Sequence, residues 1–540
     1  MVVVARRTLT GAAFVLLWAA LVVPAEPAGL TLGSLLRIPV EALALVALAL
    51  LLPARGRRWW VALAGAVLGV SAVLRIADVA YLEHVDRGFD VLSDWGTLGP
   101  AVDVLGDSIG PSRALAAAVL VGALLAALPV AVAAAAAHVT GIAVRRRRAA
   151  VRAVLALGLV AALGAASTAV AGPPTASARA AASVSDQAVR IRTGLIDLRA
   201  FDEQLAAPDP AAGAPAGQLL AGLRGKDVLL VFVESYGRVA VQGSALSEQV
   251  RQELDAGTRT LRADGFSARS AFLTSPTFGG VSWLAHATLQ SGLWVDSQRN
   301  HDQLLGSTRP TLTALFGRAG WRTVVAIPSS PSPWPEGQRF YRYDAMYGTG
   351  DVGYAGPAFG YAKIPDQFTL AALRRRELAP EPRRPVMAEV DLVSSHTPWA
   401  PLPRLVPWAD LGDGAVFRPM PAQGQDPKAV WGDPYPEQVR AAYAESIRYS
   451  LGAVVSFVRA YGDDDLVVIL LGDHQPAAAV TGPGADRDVP ISVIARDPRV
   501  LDRIAGWRWQ EGLLPGPDAP VWRMDSFRDR FLEAYAGTQR

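Results

Sequence analysis

Five runs in the first third of the chain carry few charges: Leu9–Val23, Ile38–Leu52, Trp59–Ala77, Leu115–Val144 and Val151–Val170. No other feature limits the possible folds as much. The hydrocarbon core of a bilayer is about 30 Å thick and takes about 20 apolar residues in helical form. Lipid offers the backbone no hydrogen-bond partner, so each run is expected to be a helix. A bundle of buried soluble helices is the rival reading, and runs this poor in charge argue against it. The first run lacks a good cleavage site and four more runs follow it, so it is not read as a simple secretory signal. The fourth is long and contains Pro129, which implies tilt or a kink. The expectation is an N-terminal all-α transmembrane bundle of five spans over residues 1–171.

Arginine sets the orientation. Arg6 and Arg7 precede the first run, Arg55, Arg57 and Arg58 separate the second from the third, and Arg145–Arg148 separate the fourth from the fifth. These loops are expected to be cytoplasmic. The loop after the third run holds Glu83, Asp86, Asp90, Asp94, Asp103 and Asp107 against Arg87, so it is placed outside. An odd number of spans then leaves the C-terminal half extracytoplasmic, on a multi-pass protein of the cell membrane. Arg37, Glu41, Arg75 and Asp78 fall near the outer ends of their runs; they either snorkel to the headgroups or grip lipid. Residues 172–225 read as a connector, helical around Val184–Leu205 and then rich in Pro, Ala and Gly.

The net charge of +3 over 540 residues does not point to nucleic acid. Lysine occurs only at Lys226, Lys363 and Lys428, so arginine supplies the basic pI. There is no cysteine, hence no disulfide, no thiolate ligand and no thiol nucleophile.

Residues 226–540 change character. Short apolar runs (Val228–Val233, Thr323–Ile327, Val386–Val393, Leu466–Leu471, Ile491–Ala495) alternate with helical patterns at Leu246–Ala263, Pro310–Ala319, Gln367–Leu378 and Glu437–Tyr461. This alternation implies an α/β domain with a mainly parallel central sheet covered on both faces. Ligands bind at the carboxyl ends of such strands. The first run ends in Glu234-Ser235, the third in Ser394-Ser395-His396, and the fourth in Gly472-Asp473-His474. Between the first and second lies Phe278-Gly279-Gly280-Val281-Ser282-Trp283. A Glu, an Asp and a His at neighbouring strand ends can bind a divalent cation. A helix N-terminus behind glycines favours an anion, and Ser282 there is placed to attack phosphorus or sulfur. Taken singly, Ser282 is an N-cap, Glu234 a capping residue and Asp473-His474 a turn. Their occurrence in one chain, in this order and at strand ends, is what carries the functional reading. Thr277 is a rival nucleophile, although it precedes the glycines.

From Asp227 to Ala495 the chain resembles the lipoteichoic acid synthase-like branch of the alkaline phosphatase/sulfatase superfamily, and the five-run anchor fits that branch too. The resemblance implies a sulfatase-like domain with a metal held by Glu234, Ser282, Asp473 and His474. Ser282 would be the nucleophile, and His396 in Ser-Ser-His-Thr-Pro-Trp would contact substrate. Arg342, in Phe-Tyr-Arg-Tyr-Asp-Ala-Met-Tyr, would hold phosphate, with the register there shifted by one. Gln475-Pro476 stands where the family often has Tyr-Gly. Formylglycine sulfatases are set aside, because Ser275-Pro276-Thr277 does not fit their motif; outer-membrane-type phosphoethanolamine transferases usually carry disulfides. With only His286, His301, His396 and His474 in this half, a single divalent metal is expected, manganese by resemblance, with zinc or magnesium as alternatives. The implied activity is transfer of a phosphoglycerol-like phospholipid headgroup, through a phospho-serine, to a glycan or lipid acceptor of the envelope. The alternatives are a phosphodiester or sulfate-ester hydrolase with the same site, or a non-catalytic membrane receptor on this fold.

Overall fold

The computed structural model describes residues 2–24, 31–85, 87–168, 175–244, 246–330, 334–426, 430, 436–482 and 484–537. Asp86 and the Gly172-Pro173-Pro174 start of the connector lie outside them. The chain divides into two compact units, 1–83 with 87–197, and 84–86 with 198–540.

In the first unit every expected span falls on a helix: α1 (Val2–Val22), α2 (Val40–Leu51), α3 (Ala54–Val85), α4 (Pro111–Arg145) and α5 (Arg147–Thr168). Two of them, over Ala54–Leu82 and Pro111–Arg145, are long and apolar enough to cross a bilayer. Among the described residues the apolar stretch of α1 is Arg7–Val22. Helix α2 has 12 residues, about 18 Å of helix, because Ile38–Pro39 before it pairs as a short strand with Ala176–Ser177. Helix α5 carries Arg147, Arg148 and Arg152. Gly65 and Gly69 of α3 pack against Ala133 and Pro129 of α4 so closely that a Cβ on either would overlap the facing backbone. That four-residue spacing of small side chains lets the two backbones approach closely. Helix α6 (Arg179–Ala206) begins in this unit.

The second unit is built on a nine-stranded sheet. Its strands are β1 (Asp227–Val233), β2 (Ser267–Thr274), β3 (Arg322–Ala326), β4 (Ala345–Tyr347), β5 (Val386–Leu392), β6 (Leu466–Gly472), β7 (Asp488–Ala495), β8 (Gln510–Glu511) and β9 (Val521–Arg523). Their order is β8-β2-β7-β6-β1-β5-β3-β4, with β9 also on β2. The expectation of a mainly parallel sheet holds at its centre, where β6, β1, β5, β3 and β4 pair in parallel. Elsewhere the sheet is mixed, because β7 runs against both β6 and β2. Sequence reading missed β2, whose Ser-Ala-Arg-Ser start is half exposed and carries no apolar run.

Side chains alternate across the sheet. Leu229, Val231 and Val233 of β1 face a layer containing α7 (Ser247–Ala263), α10 (Asp366–Leu373) and α11 (Pro436–Tyr461). Val228, Leu230 and Phe232 face the opposite layer, with α8 (Ser282–Ser291) and α9 (Leu312–Arg318). Parity therefore assigns Glu234, two residues after Phe232, to the α8 side. Asp473, two residues after Leu471, goes to the same side.

Candidate active site

The register of β1 on β6 pairs Val233 with Gly472, so Glu234 and Asp473 each stand one residue past the end of adjacent parallel strands. Gly472 is required there: a Cβ would overlap the Tyr236 backbone. The Ser235 N–H donates to Asp473 Oδ1 at 2.7 Å, tying the two strand ends together. The glycine turn is anchored on the same spot, for the Gly279 N–H donates to the Gln475 carbonyl at 2.8 Å. Gly279 and Val281 both adopt left-handed backbone, with φ of 70° and 57°, and this reverses the chain sharply into α8. Ser282, the first residue of α8, thus arrives over the strand ends.

Four groups converge. Ser282 Oγ donates to Glu234 Oε2 at 2.9 Å and lies 3.1 Å from His474 Nε2. His474 Nε2 is 3.3 Å from Glu234 Oε1 and 3.6 Å from Asp473 Oδ2. Donor atoms sharing a cation at about 2.1 Å lie roughly 3.0–3.4 Å apart, so the spacing suits three oxygens and one nitrogen around a divalent ion. His474 Nδ1 faces the Gln475 carbonyl at 2.8 Å. A carbonyl only accepts, so Nδ1 carries the proton and Nε2 is turned to the cluster, as a metal-binding imidazole requires. The Gln475 backbone carbonyl thus holds both His474 and the glycine turn.

The electrostatics agree with that donor set. Burial and the Glu234 charge push the Asp473 carboxyl up to about 6. Burial opposes ionisation of Glu234 too, but the hydrogen bond and charge of His474, with His396 nearby, hold it well below the usual carboxylate range. Two buried carboxylates forced together in this way are relieved by a cation.

No protein-family model and no curated protein matches the chain. Solved structures do. The chain is similar to the lipoteichoic acid synthase LtaP from Listeria monocytogenes, at 16% identity over 58% of this chain and 72% of that one, with a TM-score of 0.37. It is similar to the C-terminal periplasmic domain of EptC from Escherichia coli at 13% identity, over 58% and 82%, with a TM-score of 0.38. The Streptococcus pyogenes phosphoglycerol transferase GacH, in complex with sn-glycerol-1-phosphate, is matched at 10% identity over 62% and 91%, with a TM-score of 0.35.

In the second unit the other expected residues fall at different places. His396 is half-buried, stacked on Tyr361 with ring centroids 3.6 Å apart. Its Nδ1 donates to the Thr397 carbonyl at 2.7 Å, and the neighbouring Ser395 hydroxyl donates to the Glu234 carbonyl at 2.6 Å. The loop after β5 is thereby fastened to the end of β1. Arg342 is not among the residues brought together: it follows helix Pro335–Tyr341 in left-handed backbone with an exposed side chain, and among the described residues no contact joins it to the cluster. Its neighbour Tyr343 points inward instead. Thr277 is buried beside Ser275, whose hydroxyl donates to the Asp473 carbonyl at 2.6 Å.

Sequence reading missed a second cluster. His286 lies one turn after Ser282 on α8, stacked on Phe232 at 3.8 Å. Its Nδ1 is 3.1 Å from Glu389 Oε1 and 3.6 Å from Asp391 Oδ1. Gln290, one turn further, donates to Glu389 Oε2 at 2.6 Å, and the Tyr343 hydroxyl donates there at 2.7 Å. Burial works against the His286 charge, but Asp391 and Glu389 overcome it and raise the imidazole to about 9. Burial raises Asp391 to about 7, helped by the charges of Glu389, Asp473 and Glu234 and opposed by His286. The signal was present in the sequence: Glu389 and Asp391, two residues apart in an otherwise apolar strand, necessarily share one buried face.

Proposed function

We propose that the protein is a membrane-anchored, metal-dependent phosphotransferase that moves a phosphoglycerol-like phospholipid headgroup onto a cell-envelope glycan or lipid. One observation carries this reading: the Ser282 hydroxyl, at a helix N-terminus, is held against both Glu234 and His474 beside Asp473. A divalent cation held by Glu234, Ser282, Asp473 and His474, manganese first among the candidates, would lower the pKa of the Ser282 hydroxyl and neutralise charge developing on phosphorus. Ser282 Oγ forms the new bond to phosphorus, the phosphorus–oxygen bond to diacylglycerol breaks, and diacylglycerol departs with a proton. An acceptor hydroxyl then attacks the phospho-serine, and Ser282 regains its proton as the second bond breaks. The first backbone N–H groups of α8 face the anion, and His396 contacts its oxygens. Arg342 stays a candidate phosphate contact that would have to swing inward.

Residues 1–171 serve in this reading as a five-span membrane domain, 172–225 as a connector and 226–540 as the extracytoplasmic catalytic domain. Reporter fusions check the topology: one after Arg148 should report cytoplasmic and one after Gly217 external, and a cytoplasmic signal at Gly217 would sink the outward-facing site. The activity is checked with purified full chain, manganese, headgroup-labelled phosphatidylglycerol and envelope acceptor. Diacylglycerol release with label on the acceptor supports the transferase. Release with all label in water-soluble glycerol phosphate identifies a hydrolase, and no release refutes the reading.

A further inference from the structure

Helix α6, read from sequence as the helical part of the connector, has its polarity inverted in its first half. Ala180, Ser183, Gln187 and Arg190 recur at helical spacing and turn inward. Gln187 is 5% exposed, and neither atom of its amide has a hydrogen-bond partner. Ser183 Oγ and Arg190 Nε on the same stripe are likewise buried and unpaired. The outward flank holds Val184, Val189, Leu195 and Ile196, between 42% and 59% exposed, interleaved with Arg192 and Arg199. In water both faces would be wrong. Beside lipid the outward face is right, since arginine snorkels among apolar side chains at a membrane surface.

Helix α3 presents a matching stripe of Ser71, Arg75 and Asp78. Ser71 Oγ is buried and unpaired. Arg75 and Asp78 do not pair with each other. Arg75 donates to the Ala20, Val23 and Ser71 carbonyls, closing the C-terminal end of α1. Asp78 accepts from Arg190 at 3.0 Å and from the Phe89 N–H at 2.8 Å. The other end of the layer is closed by Glu41, whose Oε1 accepts from the Ala181 N–H at 3.0 Å while Oε2 is buried and unpaired. Arg179 donates to the Val22 carbonyl at 2.7 Å, between the Ala20 and Val23 carbonyls that Arg75 takes, so both guanidinium groups meet at the end of α1, with Arg37 and Glu41 as charged neighbours. With Asp78 and Arg190 cancelling, three guanidinium groups face one carboxylate. Along these two helices lie the buried, unmet amide and hydroxyl groups of Ser71, Ser183 and Gln187, with surplus positive charge near the end of α1.

We propose that this layer binds the headgroup of an anionic phospholipid from the outer leaflet. Its phosphate would lie against Arg37, Arg75 and Arg179, and its headgroup hydroxyls against Gln187 and Ser183. Phosphate meets guanidinium in a planar, two-bond geometry, and an amide that both donates and accepts suits a hydroxyl. The proposal rests on the membrane reading of the first unit. It gives the chain a lipid site apart from Ser282, one that holds donor lipid beside the protein.

The test uses the full chain in nanodiscs of phosphatidylcholine with phosphatidylglycerol, followed by native mass spectrometry of the released protein. Wild type should retain one phosphatidylglycerol and no phosphatidylcholine. Gln187→Leu and, separately, Arg179→Gln should each lower that occupancy about tenfold, while millimolar inorganic phosphate leaves it unchanged. Gln187→Leu fills the layer with apolar atoms and should fold; a raised melting temperature with lipid lost still supports the site. Equal retention in wild type and both variants, or none in wild type, overturns the proposal, as does displacement by inorganic phosphate alone. Failure of the membrane reading looks different: the chain would stay soluble without detergent and never enter the nanodisc.

Discussion

Two clusters flank the first turns of α8, made from the same chemistry and put to different uses. In one, Glu234, Asp473, His474 and Ser282 converge with the imidazole proton directed away, at Gln475. In the other, His286, Glu389 and Asp391 are as close together, but Gln290 and Tyr343 also bond Glu389, while Asp391 Oδ1 stays without a hydrogen bond. Ser282, His286 and Gln290 are spaced by four, so one helix face touches both clusters. Donor atoms left facing one another, with His474 Nε2 among them, have the spacing that a shared cation takes. The bonds from His286 and Gln290 to Glu389 clamp the helix that carries Ser282. Ligand-like residue types do not make a ligand site; what distinguishes the two is where each remaining lone pair and proton goes.

That contrast can be broken experimentally. The largest effect is expected at Ser282: Ser282→Ala should reduce turnover at least about a thousandfold, while Thr277→Ala leaves a measurable rate. After incubation with headgroup-labelled lipid, peptide fragmentation should place the label on Ser282. Label on Thr277, or full activity in Ser282→Ala, would move the nucleophile back before the glycines.

Next come two isosteric changes, one in each cluster. Asp473→Asn should strip divalent metal from the purified full chain, read by elemental analysis. Glu389→Gln should keep the metal and lower kcat by about 10- to 100-fold at nearly constant KM, because it loosens a support and not the ion's own ligands. Metal loss in Glu389→Gln would erase the distinction and make the second cluster a cation site.

The smallest effect concerns a third buried histidine. His474 and His286 sit against carboxylates and are both raised to about 9. His301 packs near Trp334 with neither ring nitrogen hydrogen-bonded, and burial holds it down to about 4. Its folded pKa lies below the unfolded value of 6.5, so the unfolded chain binds the proton more readily. Its contribution is complete above pH 6.5 and is lost as pH falls through about 4, amounting to about 3 kcal/mol at most. His301→Phe should flatten the fall in chemical-denaturation stability between about pH 6.5 and 4. An unchanged slope would mean that His301 finds a partner for its charge.

The α/β alternation and the strand-end residues were legible because period-two burial and glycine turns are local rules. They placed Glu234, Asp473 and His474 at strand ends and Ser282 at the start of a helix. The apolar runs were legible as helices but their lengths were not, since the pairing of Ile38–Pro39 with Ala176–Ser177 shortens α2 and depends on residues far apart in sequence. Arg342 was placed by motif likeness, and left-handed backbone at that residue directs its side chain outward. Tyr343, next along, is the residue that reaches Glu389.

By itself the sequence determined the properties set by composition and short-range periodicity: an apolar helical third, a cysteine-free α/β remainder, and acids and a histidine stationed where strands stop. Only the tertiary structure decided which of those groups meet. The pairing of β1 with β6 sets Glu234 beside Asp473, and the bond from Gly279 to Gln475 lowers Ser282 onto them. Strand β5 beside β1 puts Phe232 level with Asp391, and His286 stacks on that Phe232. Each of these contacts joins segments tens to hundreds of residues apart. Strand register and helix docking are set by the free energy of the whole packed sheet, so no local window of sequence contains them.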